Sequence, residues 1–250
     1  MIEDKSERSA SMKINYKHIL ITGASSGIGR AIANKLAALG VHLFLCARTK
    51  EKLHDTAEVC KKKGAQCTIF PFDISSTASI DSMIDSAVSE LGSIDALINC
   101  SGIYPQDGID NITPELWDSV MTVNLRNTFF LSRQVLSLMK RQRFGYIIFI
   151  NSTVALGAKP SVTAYSVSKY GLSGAAAAMY EDARQYHVRV SSIYPGVTDT
   201  DTLRRDGMPC APEQCMLPED IAQCAEFLLS TSPRMIIKDI IPWACAYDKI

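Results

Sequence analysis

Seven short apolar or β-branched runs alternate with helical patterns along this chain, and that rhythm limits its fold more than any other feature. Strands are expected at His18–Thr22, Val41–Ala47, Gln66–Phe72, Ala96–Asn99, Tyr146–Asn151, Val188–Tyr194 and Ile236–Ile241. Helical patterns lie between them: Gly29–Leu39, a charged stretch ending near Gly64, and Ser79–Leu91. Two more fall within Thr113–Met139, and a long Ala-rich one runs from Tyr165 to Tyr186. Strands separated by helices read as crossover units, so the expected fold is an α/β, doubly wound parallel sheet with helices on both faces. The chain has 250 residues, 47% of them hydrophobic, which is enough to bury one full core. No repeat or linker divides it. Residues 17–250 are expected to form a single domain, after a polar N-terminal tail, Met1–Tyr16, expected to be disordered.

Composition removes several function classes. Lys and Arg number 26 and Asp and Glu 26, so no basic surface excess points to nucleic acid or an anionic membrane. The longest apolar runs are strand-sized, well short of the roughly 20 residues needed to cross a bilayer. The N-terminal segment lacks an apolar h-region and does not read as a signal peptide. Eight cysteines form no C-x-x-C pair and no zinc-like cluster with the four histidines, so no metal site is expected. Cys46 and Cys100 fall in strand contexts and read as buried structural thiols, in keeping with a reducing, cytoplasmic location.

The segment Thr22-Gly23-Ala24-Ser25-Ser26-Gly27-Ile28-Gly29 joins the first strand to the first helix. In that position Gly23 permits a tight turn, Gly27 lets backbone approach a phosphate, and Gly29 allows close helix–strand contact. The first N–H groups of the helix then face a pyrophosphate. Arg48 and Thr49 follow the second strand, where a dinucleotide's adenosine ribose would lie. An acidic residue there would bind a 2′-hydroxyl, whereas a basic one suits a 2′-phosphate, so NADP(H) is favoured over NAD(H). Asp73, after the third strand, is suited to the adenine amino group. Asn99 ends the fourth strand beside the same cleft.

Tyr165 and Lys169 stand four residues apart, and Ser152 lies thirteen before Tyr165. On a helix, i and i+4 share a face. An ammonium beside a phenol favours the phenolate and is expected to draw the Tyr pKa below its usual value of about 10. Such a Tyr exchanges a proton with a carbonyl or alcohol oxygen, and Ser152 could hold that oxygen by a hydrogen bond.

Together these residues resemble the short-chain dehydrogenase/reductase family over nearly the whole chain, from Lys17 to about Ile241. Its glycine turn matches Thr22–Gly29, and its N-N-A-G motif is altered here to Asn99-Cys100-Ser101-Gly102. Its catalytic Asn falls on Asn124, its Ser-Tyr-Lys set on Ser152, Tyr165 and Lys169, and its P-G turn on Pro195-Gly196. The resemblance implies a Rossmann-type fold and hydride transfer between a nicotinamide and a carbonyl or secondary alcohol. Tyr165 would act as acid/base, Lys169 would lower its pKa and hold the nicotinamide ribose, Ser152 would position the substrate oxygen, and Asn124 would anchor a relay water. Cofactor contacts are implied for Gly23, Ser25, Ser26, Gly27, Ile28, Gly29, Arg48, Thr49, Asp73, Ile74, Asn99, Gly102, Tyr165, Lys169, Pro195, Gly196, Thr198 and Thr200. The family also implies a homodimer or homotetramer. An NAD(H)-dependent alcohol dehydrogenase and a non-catalytic nucleotide-binding sensor or scaffold are the alternatives. This chain departs from the family in Cys100 and Ser101, in Asn151 where a second Ser is frequent, in Thr198, and in its ending without a D-G-G turn. The substrate pocket is expected from Gly102–Asn111, Leu156–Val162 and Asp201–Leu217, with Tyr104, Leu156 and Met208 as apolar walls. His187 reads as a cap residue, Lys61–Lys63 as a solvated last helical turn, and Arg204 and Arg205 as surface residues.

Overall fold

The computed structural model describes residues 14–205 and 214–245. Its strands are β1 His18–Thr22, β2 His42–Ala47, β3 Gln66–Pro71, β4 Ala96–Asn99, β5 Gly145–Ile150, β6 Val188–Ile193 and β7 Asp239–Ile240. They form one sheet in the order β3-β2-β1-β4-β5-β6-β7, with every pairing parallel. The order reverses between β1 and β4, where Thr22 lies beside Asn99. A crevice opens outside the carboxyl ends of the strands at such a reversal. Every residue of β4, β5 and β6 is buried, which explains why these strands read as apolar runs without alternation.

The helices are α1 Gly27–Leu36, α2 Lys50–Lys62, α3 Ala78–Leu91, α4 Pro114–Met121, α5 Thr128–Gln142, α6 Thr163–Ala183, α7 Asp201–Arg205 and α8 Pro218–Ser230. One core layer packs α1, α2 and α8 against the sheet, and the other packs α3, α5 and α6. In α2 the buried residues Leu53, Thr56, Ala57 and Cys60 repeat at helical spacing while lysines and acids face outward. The two helical stretches expected within Thr113–Met139 are α4 and α5, joined by a π-helical turn at Thr122–Asn127. α8 is absent from the sequence expectations, although Pro218 at its first turn and buried Ile221, Ala222, Ala225, Leu228 and Leu229 carry a helical period. Its Asp220 carboxylate accepts the backbone N–H of Leu217 at 2.7 Å and closes the helix start.

The expected tail is corrected at its inner end. Ile14 and Tyr16 are buried in the core, and Tyr16 stacks on Phe144 with ring centroids 5.1 Å apart. The cause is Arg189, a buried cation on β6 whose Nε donates to the Tyr16 hydroxyl at 2.9 Å. The same guanidinium donates to Thr231 Oγ1 at 2.7 Å and the Met235 carbonyl at 3.1 Å, and lies 4.3 Å from the Tyr146 ring centroid. Polar composition concealed this because the partners are 42 and 173 residues distant. The free-thiol expectation holds for Cys46, Cys60, Cys67, Cys100, Cys224 and Cys245, but Cys215 is disulfide-bonded. No helix among the described residues is long and apolar enough to cross a membrane.

Tyr16→Phe keeps the ring stack and removes only the oxygen to which Arg189 donates. The expected outcome in urea denaturation is a loss of about 2 kcal/mol, the scale of one hydrogen bond to a buried charge. The active-site end of the sheet should keep its ligand affinity.

Candidate active site

The glycine turn is built by steric necessity. Gly23 adopts φ 65°, and a Cβ there would lie 2.9 Å from the Ser101 nitrogen. Gly29 sits so near the Gly23 carbonyl that a Cβ would meet its oxygen at 2.3 Å. Gly27, at φ 49°, faces the Thr200 side chain, with a Cβ position 3.4 Å from the Thr200 methyl. The first N–H groups of α1 have no intrahelical acceptor, and Ser26 at the cap position makes no side-chain cap bond. A helix start left open in this way is a ready anion cradle.

Thr22, the first residue of the glycine segment, holds the neighbouring turn as well. Its hydroxyl accepts from the backbone N–H groups of Cys100 and Ser101 at 3.1 and 3.2 Å. The altered Cys-Ser pair keeps these two contacts because they use its backbone N–H groups. Asn99 donates to Ser132 at 3.0 Å, and its buried carbonyl oxygen has no hydrogen-bond partner among the described residues. Asn124 stands in the π turn, where its amide clamps Ile103 from both sides. The Ile103 N–H donates to it at 2.8 Å, and its own NH₂ donates to the Ile103 carbonyl at 2.9 Å and to Ser168 at 3.2 Å. Gly102 lies next to that amide.

β5 and α6 bring the remaining groups together. Asn151 accepts the Ser152 N–H at 3.0 Å and donates to Ser173 on α6 at 2.9 Å, which ties the end of β5 to that helix. The Ser152 hydroxyl, which accepts the Val154 N–H at 3.3 Å, is near enough to half-buried Tyr165 to favour its ionised form. Lys169 is buried, with its Nζ donating to the Ile150 carbonyl at 2.9 Å and lying 5.5 Å from the Tyr165 ring centroid. The Tyr104 ring meets Tyr165 edge-on, with ring centroids 4.7 Å apart. Pro195 accepts the Thr153 N–H at 3.1 Å, and Thr198 donates to the Gly196 carbonyl at 3.1 Å. The P-G turn thus lies beside the serine.

The electrostatics correct one expectation. Burial pushes the Tyr165 phenol up to about 12, against the lowering effect of Ser152, and pushes Lys169 down to about 8. Desolvation is the largest effect on each group, and the Lys169 Nζ is directed to the Ile150 carbonyl.

At the outer end of the cleft, Arg48 and Thr49 are exposed at the end of β2, and Arg48 forms no ion pair among the described residues. Asp73 is also exposed, with its carboxylate accepting the Ser75 N–H at 2.9 Å. Neighbouring Ile74 is buried, its carbonyl accepting from Asn127 at 2.6 Å. Ser25 and Ile28 sit half-buried in the glycine turn. Arg204 is paired with Asp199, His187 caps a short turn in left-handed conformation at φ 60°, and Lys61 pairs with Glu58, as their surface readings require. Met208 falls outside the described residues.

A family model described as short chain dehydrogenase matches residues 17–208. The chain is similar to the sepiapterin reductase of Chlorobaculum tepidum, 34% identical over 90% of this chain and 95% of that one. It is also similar to the 2,3-dihydro-2,3-dihydroxybenzoate dehydrogenase of Bacillus subtilis, 33% identical over 75% and 72% of the two chains. Among solved structures, a metagenomic short-chain oxidoreductase in complex with NADP superposes with a TM-score of 0.80 at 28% identity, over 90% of this chain and 96% of that one.

The buried lysine sets a pH dependence that needs no ligand. Its folded pKa, near 8, lies below its unfolded value, so the unfolded chain binds more protons between about 8 and 10.5 and stability rises with pH across that window. Lys169→Met should flatten this rise, as read by urea midpoints at pH 8 and pH 10.

Proposed function

The chain belongs to the short-chain dehydrogenase family of oxidoreductases, and we propose that it reduces a carbonyl group with NADPH, using Tyr165 as the proton donor. The observation that carries this reading is the meeting of Tyr165, Ser152 and Lys169 at the strand ends where the glycine turn opens. The cleft fits a nicotinamide dinucleotide. Its diphosphate would rest against the start of α1 at Gly27, with Ser25, Ser26 and Ile28 around it and Thr200 opposite. Asp73 and Ile74 would border the adenine, while Pro195, Gly196 and Thr198 would border the nicotinamide end.

When bound, the nicotinamide supplies the hydride. The protein's own part is orientation and proton delivery. Ser152 hydrogen-bonds the carbonyl oxygen, and the Tyr165 hydroxyl gives that oxygen its proton as negative charge develops. The raised Tyr165 pKa keeps the phenol protonated at neutral pH, which is the form reduction requires. Lys169, with a pKa near 8, is mostly cationic at pH 7 and stands ready to stabilise the phenolate left behind. Asn124 contributes by fixing the Ile103 backbone beside them.

The preference for NADPH over NADH rests on Arg48, an exposed cation after β2 that forms no ion pair among the described residues, with no carboxylate at the same strand end. It is supported by the NADP bound in the metagenomic relative. A second copy of the chain is the proposed partner, since Val167 and Tyr170 expose apolar surface on α6.

Two outcomes are expected. Tyr165→Phe should lower kcat by roughly 10²–10⁴-fold, the usual contribution of a positioned proton donor, with NADPH affinity unchanged by fluorescence titration. Undiminished turnover would exclude Tyr165 as the donor. Arg48→Ala should raise the Kd for NADPH at least about tenfold more than that for NADH, the scale of one charge-assisted contact. Equal weakening of both would remove the basis for selectivity.

A further inference from the structure

The loop after β4 is pinned at two points, and only one of them belongs to the site already described. Asn124 holds Ile103. Four residues on, Asp107 is 3% exposed and forms a parallel bridge with Val162. One of its carboxylate oxygens accepts the backbone N–H of Ala164 at 3.1 Å. Ala164 lies in the first turn of α6, directly before Tyr165. Val162, the residue at the cap position of α6, makes no side-chain cap bond. A carboxylate 57 residues away therefore does what a local Asp or Ser does at other helix starts, with the positive end of a 21-residue helix to favour its charge. Its other oxygen is buried without a hydrogen-bond partner among the described residues. Folding alone gives little reason to keep such a group, because an unpaired buried oxygen is costly. Between the two pins lies Tyr104, whose ring meets Tyr165 edge-on.

We infer that Asp107 is a positioning residue: it latches the loop carrying Tyr104 to the start of the helix carrying Tyr165 and Lys169, and so sets the wall against which the substrate carbonyl is held. The inference rests on the reductase reading for its kinetic consequence and on geometry alone for the latch. Asp107 touches neither substrate nor proton. It acts through Tyr104, so its removal should weaken substrate binding more than the chemical step.

The experiment compares wild type, Asp107→Ala, Asp107→Asn, Tyr104→Ala and the Asp107→Ala/Tyr104→Ala double variant, with a carbonyl substrate that wild type turns over with NADPH. Absence of any wild-type turnover would count against the reductase reading and leaves the latch to be judged by exchange. Amide hydrogen exchange on the cofactor-free protein is expected to show faster exchange at 102–111 and at the start of α6 in Asp107→Ala. Its KM should rise about tenfold, the scale of one lost hydrogen bond to a charged group, while kcat stays within about threefold. Asparagine, itself a good capping residue, should restore most of the loss. In the Tyr104→Ala background the Asp107→Ala change should add almost nothing, since coupled residues are not additive. Unchanged exchange at 102–111 overturns the latch. Additive kinetic losses, or an unchanged KM with only a lower melting temperature, overturn its action through Tyr104 and leave a plain helix cap. Should Asp107→Ala fail to fold, Asp107→Ser, which keeps a polar group but not the reach, is read in the same way.

Discussion

The hydroxyl of Thr22 accepts two backbone N–H groups from the turn that follows β4, and the geometry of the cleft depends on that small clamp. β1 and β4 are the neighbours between which the strand order reverses. Their ends must part there, since the chain leaves β1 for α1 on one face and β4 for the other. Parted strand ends make a crevice, and unsupported ends would make a floppy one. Thr22 closes the gap at its floor, and Gly23 lets the following turn run close enough to the Ser101 backbone to form the near wall. The diphosphate cradle at α1 and the Asn99 oxygen both take their positions from this junction.

Above the floor, the catalytic groups are arranged by burial as much as by pairing. Burial of Lys169 and partial burial of Tyr165 disfavour the charged form of each, so the phenol is pushed up and the ammonium down. That balance is the reverse of what an isolated Tyr–Lys pair in water would give. It leaves a neutral phenol near Ser152 at pH 7 and a lysine whose pKa lies near 8. Asn151 shows how such a site is kept rigid: it hydrogen-bonds the Ser152 N–H and reaches Ser173 on α6.

The opposite end of the sheet carries a second buried cation with a different task. Arg189 gathers the hydroxyls of Tyr16 and Thr231 and the Met235 carbonyl around one guanidinium. It thereby fastens the segment entering β1 and the segment leaving α8 to β6. At the carboxyl ends, by contrast, the Asn99 and Asp107 oxygens are buried without hydrogen-bond partners among the described residues.

Much of this was legible in the chain because parallel sheets and phosphate turns impose local rules. Buried strands must be apolar, crossovers need helices, and Gly23 and Gly29 stand where any Cβ would strike backbone, so the sheet and the cradle could be read from residue type and spacing. The spacing of Tyr165 and Lys169 on one helix was legible for the same reason. What the tertiary structure alone decided are the quantities that depend on distant neighbours. Desolvation, set by everything packed around the pair, reversed the expected direction of the Tyr165 pKa. Tyr16 was drawn into the core by an arginine 173 residues away, and α6 received its cap from Asp107 rather than from a residue beside it. Pattern and spacing act through the chain itself, whereas burial and remote hydrogen bonds exist only once segments far apart in sequence have met.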